Sequence, residues 1–163
     1  VGAGISVILY VIRQSNRVTI KEWEIGEDGR NRELDPPEEV PPDRVLVLQP
    51  YGSLFFAAAP TFEKALPKVT GATRNSVVIL RLRGKSDLGT TFMEVISRYA
   101  LQLQAADSKL VIVSAAERVI EQLAVTGVTD IVGADSIYPS DEWVGATLAR
   151  AHADATTWLS SRT

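Results

Sequence analysis

The clearest hydrophobic pattern along the chain lies between Ser76 and Ala115. Its first run, residues 77–82, is nearly continuous in β-branched and aliphatic residues, which is typical of a strand covered on both faces. A second aliphatic run follows at residues 109–113. Two buried strands joined by a helical crossover form a βαβ unit, so the pattern predicts a parallel pair with the first strand in the middle of a sheet.

A polar turn and an amphipathic helix connect these two strands. The turn, residues 83–89, contains two glycines. Thr91 and Glu94 then have the T-x-x-E spacing of a capping box, which predicts that the helix begins here. Apolar residues recur every three or four positions and predict one stripe against the sheet, formed by Phe92, Ile96, Tyr99 and Leu103 and widened by Val95 and Leu101.

Shorter elements are predicted on both sides of this unit. Residues 18–25 and 45–48 read as strands, Asp28-Gly29 as a hairpin turn, and residues 60–66 as a helix that Pro67 ends. Further on, Ser114 and Glu117 predict a second capping box, Gly127 a helix end, residues 128–132 a short strand, and Ser140 or Asp141 the cap of a last helix. The order β-β-α-β-α-β-α-β-α predicts an α/β fold with a mixed sheet.

A proline-rich acidic stretch interrupts this pattern at residues 33–44. It holds four prolines and five acidic residues, a composition that predicts a surface loop outside the core.

Composition excludes several classes of function. The 163 residues make one domain, and a net charge of -3 with a pI near 5.2 argues against a nucleic-acid partner. The absence of cysteine excludes disulfides, cysteine-ligated zinc and thiol catalysis. The single histidine, His152, is expected to have a surface or packing role, which leaves little for a histidine metal site or a catalytic triad.

The first 12 residues carry no charge, and arginines follow them at positions 13 and 17. The run is too short to span a bilayer, and arginines beyond an apolar helix mark its cytoplasmic side. We therefore expect a longer protein, with residues 1–17 as the end of a transmembrane helix and a linker, and residues 18–163 as a folded domain. The alternative is a buried or amphipathic helix of a soluble domain. The expected membrane-proximal residues are Val1, Ile5, Ile8, Leu9, Ile12, Arg13 and Arg17.

Three local sequences carry a resemblance to a known family. They are Tyr51-Gly52-Ser53-Leu54-Phe55-Phe56-Ala57, the strand at residues 77–82 with its turn and helix, and Leu123-Ala124-Val125-Thr126-Gly127-Val128. In these residues the chain resembles a STAS domain, over roughly residues 18–158. The resemblance implies an α/β fold with a STAS-like mixed β-sheet and helices packed mainly on one face. The first element resembles the transporter branch of the family, the SulP (sulfate permease) anion transporters.

The SulP resemblance implies a non-catalytic domain at the cytoplasmic face of the cell membrane, within a multi-pass protein. Its implied partner is the transmembrane domain of the same chain, with a homodimer in the full-length transporter. It implies that the domain regulates or supports anion transport. A soluble regulator similar to an anti-anti-sigma factor is the alternative.

The start of the predicted central helix is the candidate site. Anti-anti-sigma factors carry Asp-Ser-Ser-Gly here, and this chain has Gly89-Thr90-Thr91-Phe92, so the resemblance makes Thr90 the candidate phosphoacceptor. Helix capping is the alternative role of the two threonines. The candidate phosphoacceptor or anion site comprises Ser86, Asp87, Gly89, Thr90 and Thr91, and the candidate interaction surface comprises Asp87, Leu88 and Phe92.

No residue pattern identifies an enzyme or a cofactor. Gly84-Lys85-Ser86 lacks the first glycine of a phosphate-binding loop, because position 79 is Ile. Backbone amides at a helix start still form a generic anion site, which leaves nucleotide binding open. A nucleotide hydrolase is the third class, and it predicts GTP or ATP turnover that is lost on Thr90→Ala.

Overall fold

The computed structural model describes residues 4–7, 18–54, 59–143 and 145–162. The strands in these ranges are β1 Thr19–Ile25, β2 Asn31–Leu34, β3 Val45–Tyr51, β4 Val77–Arg81, β5 Lys109–Ala115 and β6 Ile137–Pro139. The α-helices are α1 Ala59–Ala65, α2 Thr90–Ala105, α3 Glu117–Val125, α4 Val128–Val132 and α5 Ala146–Ser160, and a 3₁₀ helix covers Ala134–Ser136.

The strands form one mixed sheet in the order β2-β1-β3-β4-β5-β6. β1 pairs antiparallel with β2 and β3, and the steps from β3 to β6 are parallel. All five residues of β4 are buried, so its predicted place in the sheet interior is confirmed. The predicted hairpin turn is also confirmed, with Gly29 at a φ of 76°.

Side-chain alternation along β4 divides the core between the two faces of the sheet. Val78 and Leu80 join the larger cluster, to which α1, α2, α3 and α4 contribute. Val77 and Ile79 join a smaller cluster under α5. The α/β class, with a mixed sheet and helices mainly on one face, is confirmed.

Residues 128–132 form helix α4, so the prediction of a strand there was wrong. Gly127 and Gly133, both with positive φ, lie immediately before and after this single helical turn. Val128 is buried in the larger core cluster, and Ile131 and Val132 are partly buried against that cluster. Five residues are too few to separate a period of 2 from one of 3.6. The last strand is β6, nearer the C terminus.

The predicted capping boxes were also wrong. Helices α2, α3 and α5 begin after Gly89, Ala116 and Gly145, with no side-chain hydrogen bond at the cap. Ser114 still belongs to β5, and the loop before α5 continues beyond Asp141, so neither stands at a helix start. In α2 the predicted stripe is buried except for Leu101, which is exposed.

The proline-rich loop contributes to the core, contrary to prediction. Val40 is 1% exposed, and its N–H donates to the Lys68 carbonyl (2.9 Å). The Lys68 N–H donates to the Glu38 carbonyl (2.8 Å). This pairing fixes the loop backbone and lets the side chain of Val40 reach the interior, although acidic residues and prolines flank it in the sequence.

Of the N-terminal segment, the structure describes residues 4–7, which are helical with Ile5 and Val7 exposed. The other expected membrane-proximal residues, Val1, Ile8, Leu9, Ile12, Arg13 and Arg17, lie outside the described residues. Within the described ranges, no helix has the length and apolar character needed to cross a membrane.

Candidate functional site

The candidate site is the loop between β4 and α2, which turns at the end of the sheet where the parallel strands finish. Gly84 adopts a φ of 80°, and the Lys85 N–H donates to the Leu82 carbonyl (3.0 Å). The Lys85 Nζ donates to the Gly52 carbonyl (2.6 Å), and the Gly89 N–H donates to the Leu54 carbonyl (3.3 Å). The loop is therefore tied to the segment that follows β3.

Helix α3 holds the other side of this loop through Gln122. The Leu88 N–H donates to Gln122 Oε1 (3.0 Å), while Gln122 Nε2 donates to the Leu88 carbonyl (3.0 Å) and to Asp87 Oδ1. Arg118 Nε donates to Asp87 Oδ2 (3.1 Å). The hydrogen bond from Gln122 lowers the pKa of Asp87 most, and the one from Arg118 lowers it further. The Asp87 carboxylate is therefore ionised at neutral pH and is bound by two side chains of α3.

We expect Gln122→Ala to loosen the loop, because the backbone N–H and C=O of Leu88 lose their protein partner together. The expected loss is about 1–2 kcal/mol in the free energy of unfolding, with faster hydrogen exchange at the Leu88 amide. Urea unfolding and amide exchange measure the two effects. The matched control is Glu121→Ala on the exposed face of α3. An equal loss in both variants would contradict the assigned role of Gln122.

The residues at the start of α2 divide into exposed and buried sets. Thr90, Thr91 and Ser86 are exposed, and the Gly89 carbonyl accepts the N–H of Phe92 (3.0 Å). Leu88 and Phe92 are 2% and 0% exposed. Phe92 belongs to the core stripe of α2 and so cannot also face a partner in this conformation. Leu88 lies before the helix and is buried beneath the turn, so that at most an edge of its side chain reaches the surface.

A groove between α2 and α3 provides the accessible surface beside these residues. It has a volume of about 230 Å³ and is lined by Leu88, Thr90, Met93, Arg118, Glu121, Gln122, Val125 and Thr126. Val125 is 88% exposed, and Arg118 and Glu121 place one charge of each sign there. The sequence analysis did not predict that α3 forms one side of this groove. The one local signal was Val125, an apolar residue at the end of the polar face of α3.

The described residues contain no group of three His, Asp or Glu side chains that could hold a metal ion. His152 is half-buried in α5, and burial lowers its pKa, which leaves the imidazole neutral at pH 7.

The N-terminal segment enters the fold at the same end of the sheet as the candidate site. Thr19, the first residue of β1, pairs with Tyr51, the last residue of β3. The parallel strands β3 and β4 finish at this end, where the loop at residues 82–89 and the start of α2 follow. Whatever precedes Val18 therefore joins the domain beside the candidate site.

Comparison with known proteins identifies one family. The family model described as "STAS domain" matches residues 37–149. No curated protein sequence matches the chain.

Solved structures similar to this chain include both transporters and regulators. The murine solute carrier 26 family member A9 anion transporter aligns with a TM-score of 0.67 at 15% identity, over 95% of this chain and 26% of that one. A sulfate transporter family protein from Wolinella succinogenes aligns with a TM-score of 0.56 at 15% identity, over 83% of this chain and 97% of that one. An anti-sigma factor antagonist from Thermotoga maritima, named as putative in its own description, aligns with a TM-score of 0.50 at 20% identity, over 71% and 93%. At these identities the similarity shows the fold, and the chain spans about a quarter of the murine transporter.

Proposed function

The chain belongs to the STAS domain family, and from this premise we propose that it is the cytoplasmic C-terminal domain of a SulP-type anion transporter. In this proposal the domain is non-catalytic. It regulates or supports transport by contacting the transmembrane domain of the same chain, within a homodimer of the full-length protein.

One observation supports this proposal most directly. The chain aligns over 95% of its length with an anion transporter of which it covers only 26%, so its counterpart there is one portion of a much larger polypeptide. The sequence adds an uncharged N-terminal run followed by two arginines, the order found where a membrane helix ends on the cytoplasmic side.

The position of the N terminus favours one surface for the contact with the membrane domain. Because β1 begins at the sheet end where the loop at residues 82–89 turns, this loop and the groove between α2 and α3 lie near the entry of the N-terminal segment. The groove combines an exposed valine with side chains of opposite charge, which is the apolar centre and polar rim of a docking surface for another protein segment. We propose that the groove contacts the transmembrane domain.

Val125→Asp in the full-length transporter tests this surface. We expect anion flux in proteoliposomes to fall several-fold, because a carboxylate replaces the exposed valine at the contact, while the melting temperature of the domain stays unchanged. Ala153→Asp is the matched control, since it places the same charge on exposed α5, across the sheet from the groove. Unchanged flux in both variants would refute the proposed contact surface.

A soluble regulator similar to an anti-anti-sigma factor is the second candidate. The likeness to the Thermotoga maritima protein and the exposed hydroxyl of Thr90 favour it. Phosphate on Thr90 would add a charge of roughly -2 beside helix amides and in the groove that Arg118 lines.

Two measurements separate the candidates. The coding sequence upstream of Val1 should continue into several apolar segments of roughly 20 residues if the protein is a transporter. A start codon directly before Val1 would refute the transporter. Incubation with the cognate kinase and ATP, followed by mass spectrometry, should show phosphate that Thr90→Ala removes and Thr91→Ala retains if the protein is a regulator.

A further inference from the structure

Arg81, the last residue of β4, is a buried cation on the far side of the sheet from the groove. Arg81 is only 5% exposed. Alternation along β4 places its side chain on the same face of the sheet as Ile79, and α5 packs on that face. Arginine is almost never buried to this extent without a partner for its charge. Its surroundings therefore call for a physical explanation.

The protein satisfies only part of this guanidinium. Nη1 donates to Gln49 Oε1 (2.5 Å), and Cζ lies 4.4 Å from the centroid of the Trp23 ring. Nε is buried without any hydrogen-bond partner, and none of the described hydrogen bonds involves Nη2. The Trp23 ring covers the face of the guanidinium plane, whereas Nε–H and Nη2–H point within that plane, so the cation–π contact leaves them unpaired.

Among the described residues, no carboxylate forms an ion pair with Arg81. None of the ion pairs among the described residues includes it. Burial first, and then the positive charge of Arg83, lower the pKa of Arg81, while Tyr51 acts in the opposite direction. The remaining residues, 1–3, 8–17, 55–58, 144 and 163, contain no Asp or Glu that could supply an acidic side chain.

The unpaired edge has a specific shape. Nε–H and Nη2–H are adjacent and parallel, the arrangement that binds two oxygens of one anion side by side. Gln49 occupies the other edge of the guanidinium. At the end of the neighbouring strand β3, the Tyr51 hydroxyl donates to the carboxylate of Glu33 (2.5 Å), which places one negative charge at this corner of the sheet.

We propose that Arg81 binds a small inorganic oxyanion of the sulfate, phosphate or bicarbonate class through its Nε–Nη2 edge. Arg83 follows two residues along the chain and adds a second positive charge near this end of β4. The site differs from the candidate site at the start of α2, and it does not depend on the proposed transporter function, because the residues that form it all belong to this domain.

Titration of the 163-residue chain with sodium sulfate tests the site, with the arginine Nε–H resonances observed by NMR. At constant ionic strength, we expect the Arg81 resonance to shift saturably, with a dissociation constant on the order of millimolar. Phosphate and bicarbonate titrations rank the oxyanions. Chloride has a single acceptor atom and cannot offer each of the two parallel donors its own oxygen, so it should give at least a tenfold weaker response.

Variants separate binding from the general effect of sulfate, which stabilises proteins by exclusion from their surfaces. Arg81→Gln should abolish the saturable rise of the melting temperature with sulfate, and Arg81→Lys should weaken it because the two-donor edge is lost. Arg30→Gln, in the exposed hairpin turn, should leave it unchanged.

The titration of the unmodified chain decides the proposal even if these variants fail to fold. No saturable shift of the Arg81 resonance up to roughly 100 mM of any of the three oxyanions would overturn it. An equal response to chloride would also overturn it.

Discussion

Replacing Phe92 by alanine is expected to lower the free energy of unfolding by about 3–5 kcal/mol. The ring is fully buried and lies 5.3 Å from the ring of Phe62, centroid to centroid, where α2 packs against α1. Truncation would remove this aromatic pair and leave a cavity in the larger core cluster. Urea unfolding of the 163-residue chain measures the loss.

Two companion variants identify the cause of this loss. Thr91→Ala, on the exposed neighbour, is expected to change stability by less than about 0.5 kcal/mol. Phe92→Leu should keep more than half of the stability that alanine loses, since most of the volume remains. A loss below about 1 kcal/mol for Phe92→Ala would show that the residue is not a core residue, and its predicted role on an interaction surface would then return.

Replacing Arg44 by alanine is expected to destabilise the domain by about 2–3 kcal/mol at neutral pH. Arg44 donates to Glu22 Oε1, and the side chain of Glu22 is only 6% exposed. Removal of the arginine leaves a buried carboxylate without its counter-charge, which costs more than an exposed ion pair contributes.

The cost of Arg44→Ala should depend on pH. Burial raises the pKa of Glu22, and Arg44 acts in the opposite direction, so the pKa rises further in the variant. When the pKa of a carboxyl is higher in the folded than in the unfolded state, the free energy of unfolding falls as pH rises toward and through the folded-state pKa. This loss of stability is absent below the ordinary glutamate pKa of about 4.3, where the carboxyl is protonated in both states. The cost should therefore be larger at pH 7 than at pH 4.

Unfolding at the two pH values measures this dependence. The double variant Arg44→Ala with Glu22→Gln should recover most of the stability at pH 7, because no charge is then buried. An equal cost of Arg44→Ala at both pH values would show that the loss arises from packing of the arginine stem and not from the carboxylate of Glu22.

The candidate site shows how far sequence reasoning reached. The turn after β4 and the start of α2 could be located from a polar stretch with two glycines before a helical stripe. The residues that hold this turn in place could not be located from the sequence. Gln122 and Arg118 lie more than thirty positions along the chain from Asp87 and Leu88, and no local pattern reports such a contact.

Local periodicity determined the parts of this fold that depend on one element at a time. It identified β4 as an interior strand and Phe92, Ile96, Tyr99 and Leu103 as the buried stripe of α2, because burial selects apolar residues at the period of each element. It also determined the mixed α/β class and located the turn at the start of α2.

Only the tertiary structure decided features that depend on distant neighbours. It turned residues 128–132 into a helix against the core, brought Val40 of a polar loop into the interior, and buried Leu88 beneath the candidate site. It also left one edge of the Arg81 guanidinium without a partner. The physical reason is that burial and hydrogen bonding at one residue are set by the chain segments packed against it, and packing joins segments that are far apart in sequence.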